Sequence, residues 1–276
     1  MPSKLSNAYK FGKIINDIKK VKIQGARNIA KKALYAYSLL PNSKSERLLL
    51  SSRPTEPMLE RVLKEVKKKP YNEVLKHFDS AQDAINKNVL KIIKNGDIIF
   101  THCHSTNVSN ALIYAKKKGK KFEVYNTETR PLMQGRITAK EMKEAGIKVT
   151  MFVDSASAIA IEKENKRDKI YVNKIFIGAD ALLNKGIVNK VGSGLIAEIA
   201  HAHKIPLYII ADSWKYTTKS IPIENRKLNE VWDKAPKKIK IQNPAFEFVP
   251  KKNITRIISE LGTLSYADFL RKASKN

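Results

Sequence analysis

The chain has 276 residues, with 53 lysines and arginines against 26 aspartates and glutamates, for a formal net charge of +27. A hydrophobic content of 42% supplies a real core, yet the apolar runs are too short to cross a bilayer. The single cysteine, Cys103, excludes an intrachain disulfide framework and a multi-cysteine zinc site.

A charge of this size suggests a polyanionic partner. The lysines, however, are scattered in short clusters such as Lys67-Lys68-Lys69 and Lys116-Lys117-Lys118, without an arginine-rich arm, a zinc finger or an aromatic RNA-binding signature. Solvated helix faces account for most of them. Nucleic acid is therefore not the expected partner, and a phosphorylated substrate would gain from the same field. Met1-Pro2-Ser3-Lys4 leads into mixed polar and apolar residues rather than a signal segment, so a soluble, cytoplasmic protein without membrane contact is expected.

Residues 4 to about 92 read as helical. Ile14, Ile15, Ile18 and Val21 recur at helical spacing until Ile23-Gln24-Gly25-Ala26-Arg27 interrupts them. Ile29, Ala30, Ala33, Leu34 and Tyr37 mark a second helix, which ends before Pro41. The prolines of Ser51-Ser52-Arg53-Pro54-Thr55-Glu56-Pro57 predict a break. Met58, Val62, Leu63 and Val66 resume the pattern, Pro70 stops it, and a last helix spans 71–93. The expectation is a helical domain over 1–93 with two interruptions, each carrying one arginine.

From Gly96 strands alternate with helices: strands at 97–101, 122–125, 149–153, 175–177 and 207–210, and helices at 108–118, 138–145, 156–164 and 195–203. This texture predicts an α/β domain over 94–276, Rossmann-like, with a mostly parallel sheet and flanking helices. An edge strand at 238–242 and closing helices at 254–261 and 266–272 are expected to complete it. Five successive strands each end in a polar or reactive residue: Cys103, Glu128, Asp154, Asp180 and Asp212. Ligands of open α/β sheets bind outside the carboxyl ends of the strands.

The stretch from Lys174 to Gly194 is the most informative. A short buried strand ends in Gly178-Ala179-Asp180; a glycine-containing loop then passes Asn189 and Lys190 to Gly192-Ser193-Gly194, which opens a helix. A helix start at such an edge attracts phosphate through free N–H groups and the macrodipole. In an extended chain His102 and His104 point one way and Cys103 the other, so these three do not converge on a metal ion.

These residues also carry a family likeness. Thr101-His102-Cys103-His104-Ser105, Thr127-Glu128-Thr129-Arg130-Pro131 with Gln134-Gly135, Gly178-Ala179-Asp180, Asn189-Lys190-Val191-Gly192 and Asn243-Pro244-Ala245-Phe246-Glu247 resemble the sugar-phosphate isomerases related to initiation factor two B. Gly25-Ala26 and Ser52-Arg53-Pro54-Thr55 extend the likeness into the helical region. Lys215-Tyr216 and Pro236-Lys237-Lys238-Ile239 favour the archaeal ribose-1,5-bisphosphate isomerase branch over methylthioribose-1-phosphate isomerases.

The resemblance implies isomerisation of ribose 1,5-bisphosphate to ribulose 1,5-bisphosphate without metal or nucleotide cofactor, in a homodimer or homohexamer. It implies Cys103 and Asp180 as catalytic groups, and Gly25, Ala26, Arg53, Ser105, Asn189, Lys190 and Lys215 as substrate contacts. One departure stands out: the family carries an arginine where this chain has Gln24, and Arg27, one turn on, is the replacement expected to reach the phosphate. That loss and a short helical domain leave two alternatives. One is a non-catalytic regulatory subunit of an initiation-factor exchange complex, the other a methylthioribose-1-phosphate isomerase.

Overall fold

The computed structural model describes residues 4–162 and 171–275. Its N-terminal part is five helices: α1 (Lys4–Lys19), α2 (Ala26–Leu39), α3 (Ser43–Ser52), α4 (Pro57–Glu65) and α5 (Tyr71–Ile92). The apolar positions of α1 to α4 close on one core around Ile18, Leu34, Leu49 and Leu63, joined by Val74 and Phe78 from the first half of α5. The interruptions number four rather than two. Asn42 caps α3 by accepting from Ser45 N at 2.9 Å, which makes 43–52 a helix of its own. Arg27 lies inside α2, and Arg53 alone of the two arginines sits at a break.

The α/β part follows as β1 (Asp97–Thr101), α6 (Thr106–Lys117), β2 (Phe122–Thr127), α7 (Gln134–Glu144), β3 (Lys148–Phe152), α8 (Ser157–Ile161), β4 (Lys174–Ile177), β5 (Ala181–Leu182), β6 (Gly186–Lys190), α9 (Ser193–Ala202), β7 (Leu207–Ile210), β8 (Phe246–Pro250), β9 (Arg256–Ser259), β10 (Gly262–Leu264) and α10 (Tyr266–Ala273). Residues 163 and 164, the end of the helix expected at 156–164, lie outside the described residues.

Among the described residues the strands form a seven-stranded sheet, ordered β10-β9-β7-β4-β1-β2-β3, and a three-stranded one, β5-β6-β8. The large sheet is parallel except for β10. Period-two alternation sends its apolar side chains to both faces. Ile175, Ile177, Leu207 and Ile209 meet Ile196, Ala200 and Phe269 of α9 and α10 on one side. Phe176, Ile210 and Ile258 face Ile85 and Val89 of α5 and Val108 and Leu112 of α6 on the other. The second half of α5 thus belongs to the core under the sheet.

In the α/β part three expectations fail. The segment 238–242 forms no strand; it is irregular and mostly exposed, and Lys238 has φ 75°. The helix expected at 254–261 is instead β9 running into β10. Ile254, Ile257, Ile258 and Leu261 have helical spacing, but a strand buried on both faces produces the same run, and the chain turns at Glu260-Leu261 before Gly262, at φ 121°, opens β10. The loop expected before Gly192 is largely the hairpin β5–β6, which puts Asn189 and Lys190 on a strand of the small sheet.

Candidate active site

From β1 the chain proceeds outward through β2 and β3, whereas β4, β7 and β9 build the opposite wing. The order therefore reverses between β1 and β4, which pair through Ile99 with Lys174 and Phe100 with Ile175. Such a switch point opens a crevice outside the strands' carboxyl ends. Cys103 leaves β1 there and Asp180 leaves β4. A cavity of about 550 Å³ occupies the crevice, and all ten residues singled out from the sequence line it.

Cys103 has a left-handed backbone (φ 66°), a conformation that disfavours side chains other than glycine. Two threonines hold it: Thr129 Oγ1 accepts from Cys103 N at 3.0 Å, and Thr138 Oγ1 donates to Cys103 O at 2.9 Å. The flanking histidines serve the same frame. His102 Nε2 donates to Val191 O at 2.8 Å and Nδ1 accepts from Thr127 Oγ1 at 2.6 Å, while His104 Nδ1 meets Thr138 Oγ1 at 3.2 Å. Gly178 permits the approach of the second strand, because a Cβ there would meet Ser105 Oγ at 2.6 Å.

Burial pushes the Cys103 thiol up to about 11, against the pull of the Lys190 ammonium. Burial likewise raises the Asp180 carboxyl, with Lys215, Lys190 and Arg53 acting in the opposite direction. Burial thus biases both groups toward their protonated forms. Lys215 is buried and donates to Ala179 O at 2.7 Å; the Lys190 ammonium lies 5.2 Å from the Phe246 ring centroid.

Helices α2 and α6 open on the cavity and start without a side-chain cap and without a proline in the first turn. Gly25 (φ 80°) precedes α2, and Ser105 precedes α6. Their first N–H groups are available to an anion. The helix start expected to hold phosphate behaves differently: Glu247 Oε1 accepts from Gly194 N at 2.7 Å, so a carboxylate of the protein already occupies the beginning of α9.

The arginines are also engaged. Arg53 grips Glu224 through Nη1 at 2.9 Å and Nη2 at 2.7 Å, leaving its buried Nε without a partner. Arg27 donates to Phe78 O at 2.7 Å and Asp79 Oδ1 at 2.6 Å, tying α2 to α5 from the cavity rim. Gln24 lines the cavity too, with Nε2 on Val21 O at 3.1 Å.

The remaining strand-end acids are structural. Asp154 accepts from Thr129 N and Arg130 N, Glu128 pairs with Arg136, and Asp212 accepts from Trp214 N and His77 Nε2. Among the described residues, His77, Asp212 and Glu260 offer ligand atoms within 4.8 Å of one another, but they bond each other or backbone, with Glu260 accepting from Ser213 N at 3.0 Å. Sequence reasoning missed Glu56 and Arg226, which line the cavity, and Glu224 behind Arg53. Arg226 and Glu224 sit in an irregular segment without periodicity, and Glu56 has the sequence position of a helix cap.

A profile of the initiation factor 2 subunit family matches residues 42–266. The chain belongs to this family. It is 35% identical to the ribose 1,5-bisphosphate isomerase of Methanocaldococcus jannaschii over 281 residues, covering 90% of this chain and 89% of that protein. It is 31% identical to the ribose 1,5-bisphosphate isomerase of Thermococcus kodakarensis, covering 94% of this chain and 93% of the relative. The fold superimposes on the solved structure of the Pyrococcus horikoshii OT3 translation initiation factor eIF-2B with a TM-score of 0.80 at 26% identity, over 92% of this chain and 96% of that one.

Proposed function

We propose that this family member isomerises ribose 1,5-bisphosphate to ribulose 1,5-bisphosphate, with Cys103 and Asp180 as the proton-transfer pair. The observation that carries the reading is their placement on adjacent strands at the switch point, on one cavity with two uncapped helix N-termini and Lys190 and Lys215. Two anion-binding helix starts suit a substrate with a phosphate at each end. The isomerases named above, similar over nine-tenths of the chain, support the same reading.

A 1-phosphorylated aldose is locked in its ring, since its anomeric oxygen is esterified. In the proposed sequence the small fraction of Cys103 present as thiolate, drawn out by the Lys190 ammonium against the effect of burial, takes the C2 proton. Asp180 protonates the ring oxygen as its bond to C1 breaks, leaving an open-chain enol phosphate. The C2 hydroxyl then returns a proton to Asp180, and the Cys103 thiol delivers its own to C1. A ketone stands at C2, and both residues regain their starting states.

Gly25, Ala26 and Ser105 are assigned to phosphate through their helix starts, Arg53 and Arg27 through guanidinium, and Asn189, Lys190 and Lys215 to the sugar and its charge. We assign residues 1–93 and 94–276 as the two units that meet at the substrate, joined by the second half of α5, which packs under the sheet, and the cytoplasm as its location. Gln24, in the place of a family arginine, favours a second reading as a regulatory subunit that binds without turnover. Incubation of the purified protein with ribose 1,5-bisphosphate decides between them. Ribulose 1,5-bisphosphate, identified by chromatography against a standard, is the expected product; recovery of unchanged substrate would refute the isomerase reading.

A further inference from the structure

Glu56 occupies the N-cap position of α4, where a short Asp, Asn, Ser or Thr ordinarily folds back onto the first-turn N–H groups. Here the side chain makes no capping bond and lines the cavity instead. The residue is 4% exposed, and its Oε2 is buried without a hydrogen-bond partner. Arg53 Nε, on the same wall, is a buried donor in the same condition. Buried polar atoms are rarely left unpaired, so two on one cavity wall point to a ligand that brings the missing partners.

The groups acting on Glu56 define what that ligand offers. Asp180, Arg53, Lys215 and Glu224 face it from four different parts of the chain. A phosphate next to Glu56 would meet three acids, whereas a hydroxyl both donates and accepts and so fits a carboxyl group in either protonation state. Arg53 supplies the donor for a neighbouring anionic oxygen.

We propose that Glu56 is a specificity-determining residue that hydrogen-bonds a hydroxyl of the pentose, beside the phosphate held at Arg53. This rests on the sugar-phosphate reading above. Burial and the nearby Asp180 push the carboxyl up to about 8, so it carries a proton at neutral pH and donates to the hydroxyl oxygen. Above that range it becomes an anion next to the phosphate subsite, and binding weakens. A site built around such a bond discriminates against sugars lacking the hydroxyl.

The test is calorimetric titration of wild type, Glu56→Gln and Glu56→Ala with ribose 1,5-bisphosphate and with inorganic phosphate, between about pH 6.5 and 9, where the carboxyl changes charge. At the acid end Glu56→Ala should lose about tenfold in affinity for the bisphosphate, the scale of one hydrogen bond, and little for inorganic phosphate, which has no hydroxyl-bearing carbon. Glu56→Gln keeps a hydrogen-bonding group and should lose less. It should also abolish the alkaline weakening seen in wild type, a readout that a packing role would not move. Unchanged bisphosphate affinity in Glu56→Ala, or the same alkaline weakening in Glu56→Gln, would overturn the proposal. A wild type that binds the bisphosphate without converting it refutes the isomerase reading, and the comparison still decides Glu56. A wild type that binds no bisphosphate overturns both.

Discussion

Arg53 shows how one side chain meets two demands. Its Nη groups are held by Glu224, which fixes the guanidinium at the break after α3 on the cavity wall, while Nε is buried and unpaired. A charge-assisted contact is worth roughly 1.5–3 kcal/mol, so Arg53→Ala should raise the KM for ribose 1,5-bisphosphate by about 10- to 150-fold. An unchanged KM in a folded variant would remove Arg53 from the substrate. Glu56 adds a stability signature. Its carboxyl holds a proton in the folded chain up to about 8, against an ordinary value of 4.5, so stability falls as pH climbs through that window. Glu56→Gln is not subject to that penalty: its melting temperature relative to wild type should rise from pH 5 to pH 8, and a pH-independent difference would contradict the burial argument. The sequence points to Cys103 and Asp180 because strand ends are legible in it. It could not reveal that Arg27 is tied to Asp79, a partner 52 residues away that only folding brings near.

At the scale of elements, the amino end of the sheet is as constrained as the carboxyl end. Lys174 starts β4 buried, donating to Asp97 at the start of β1 and to Ile92 O at 3.2 Å. Removing one partner strands the other charge in the core, so Asp97→Ala should cost about 3–5 kcal/mol in denaturant unfolding. A loss below about 1 kcal/mol, the range of exposed pairs, would mean that Lys174 finds water. The parallel strands and their helices could be read from periodicity because each has one buried face or a bounded apolar run. The hairpins β5–β6 and β9–β10 were opaque for the opposite reason. Short strands buried on both sides carry no alternation, and Ile254, Ile257 and Ile258 fit a helix equally well. The N-terminus of α9 read as a phosphate site because Glu247, which occupies it, lies 53 residues further on.

Across the whole molecule, function is arranged by topology. Helices from the first part of the chain bring Gly25, Arg53 and Glu56 over the switch point, where the sheet presents Cys103 and Asp180. No helix of the described residues is long and apolar enough to cross a membrane. The outer strand β3 leaves Met151 about half exposed, as is Val153 just beyond its end, with Ile159 of α8 70% exposed. An unpaired edge with apolar side chains suits a second copy of the chain, the partner expected from the family resemblance. Val153→Asp should therefore lower the mass measured by analytical ultracentrifugation, and an unchanged mass would place the interface elsewhere. The central claim, that Cys103 and Asp180 act as one unit, is tested most directly by kcat values for Cys103→Ser, Asp180→Asn and the double variant on ribose 1,5-bisphosphate. Residues that share one proton-transfer sequence are non-additive: each single variant should lose about a thousandfold or more, and the double variant should be little worse than either. Near-wild-type turnover in either folded single variant, or losses that multiply in the double variant, would contradict it.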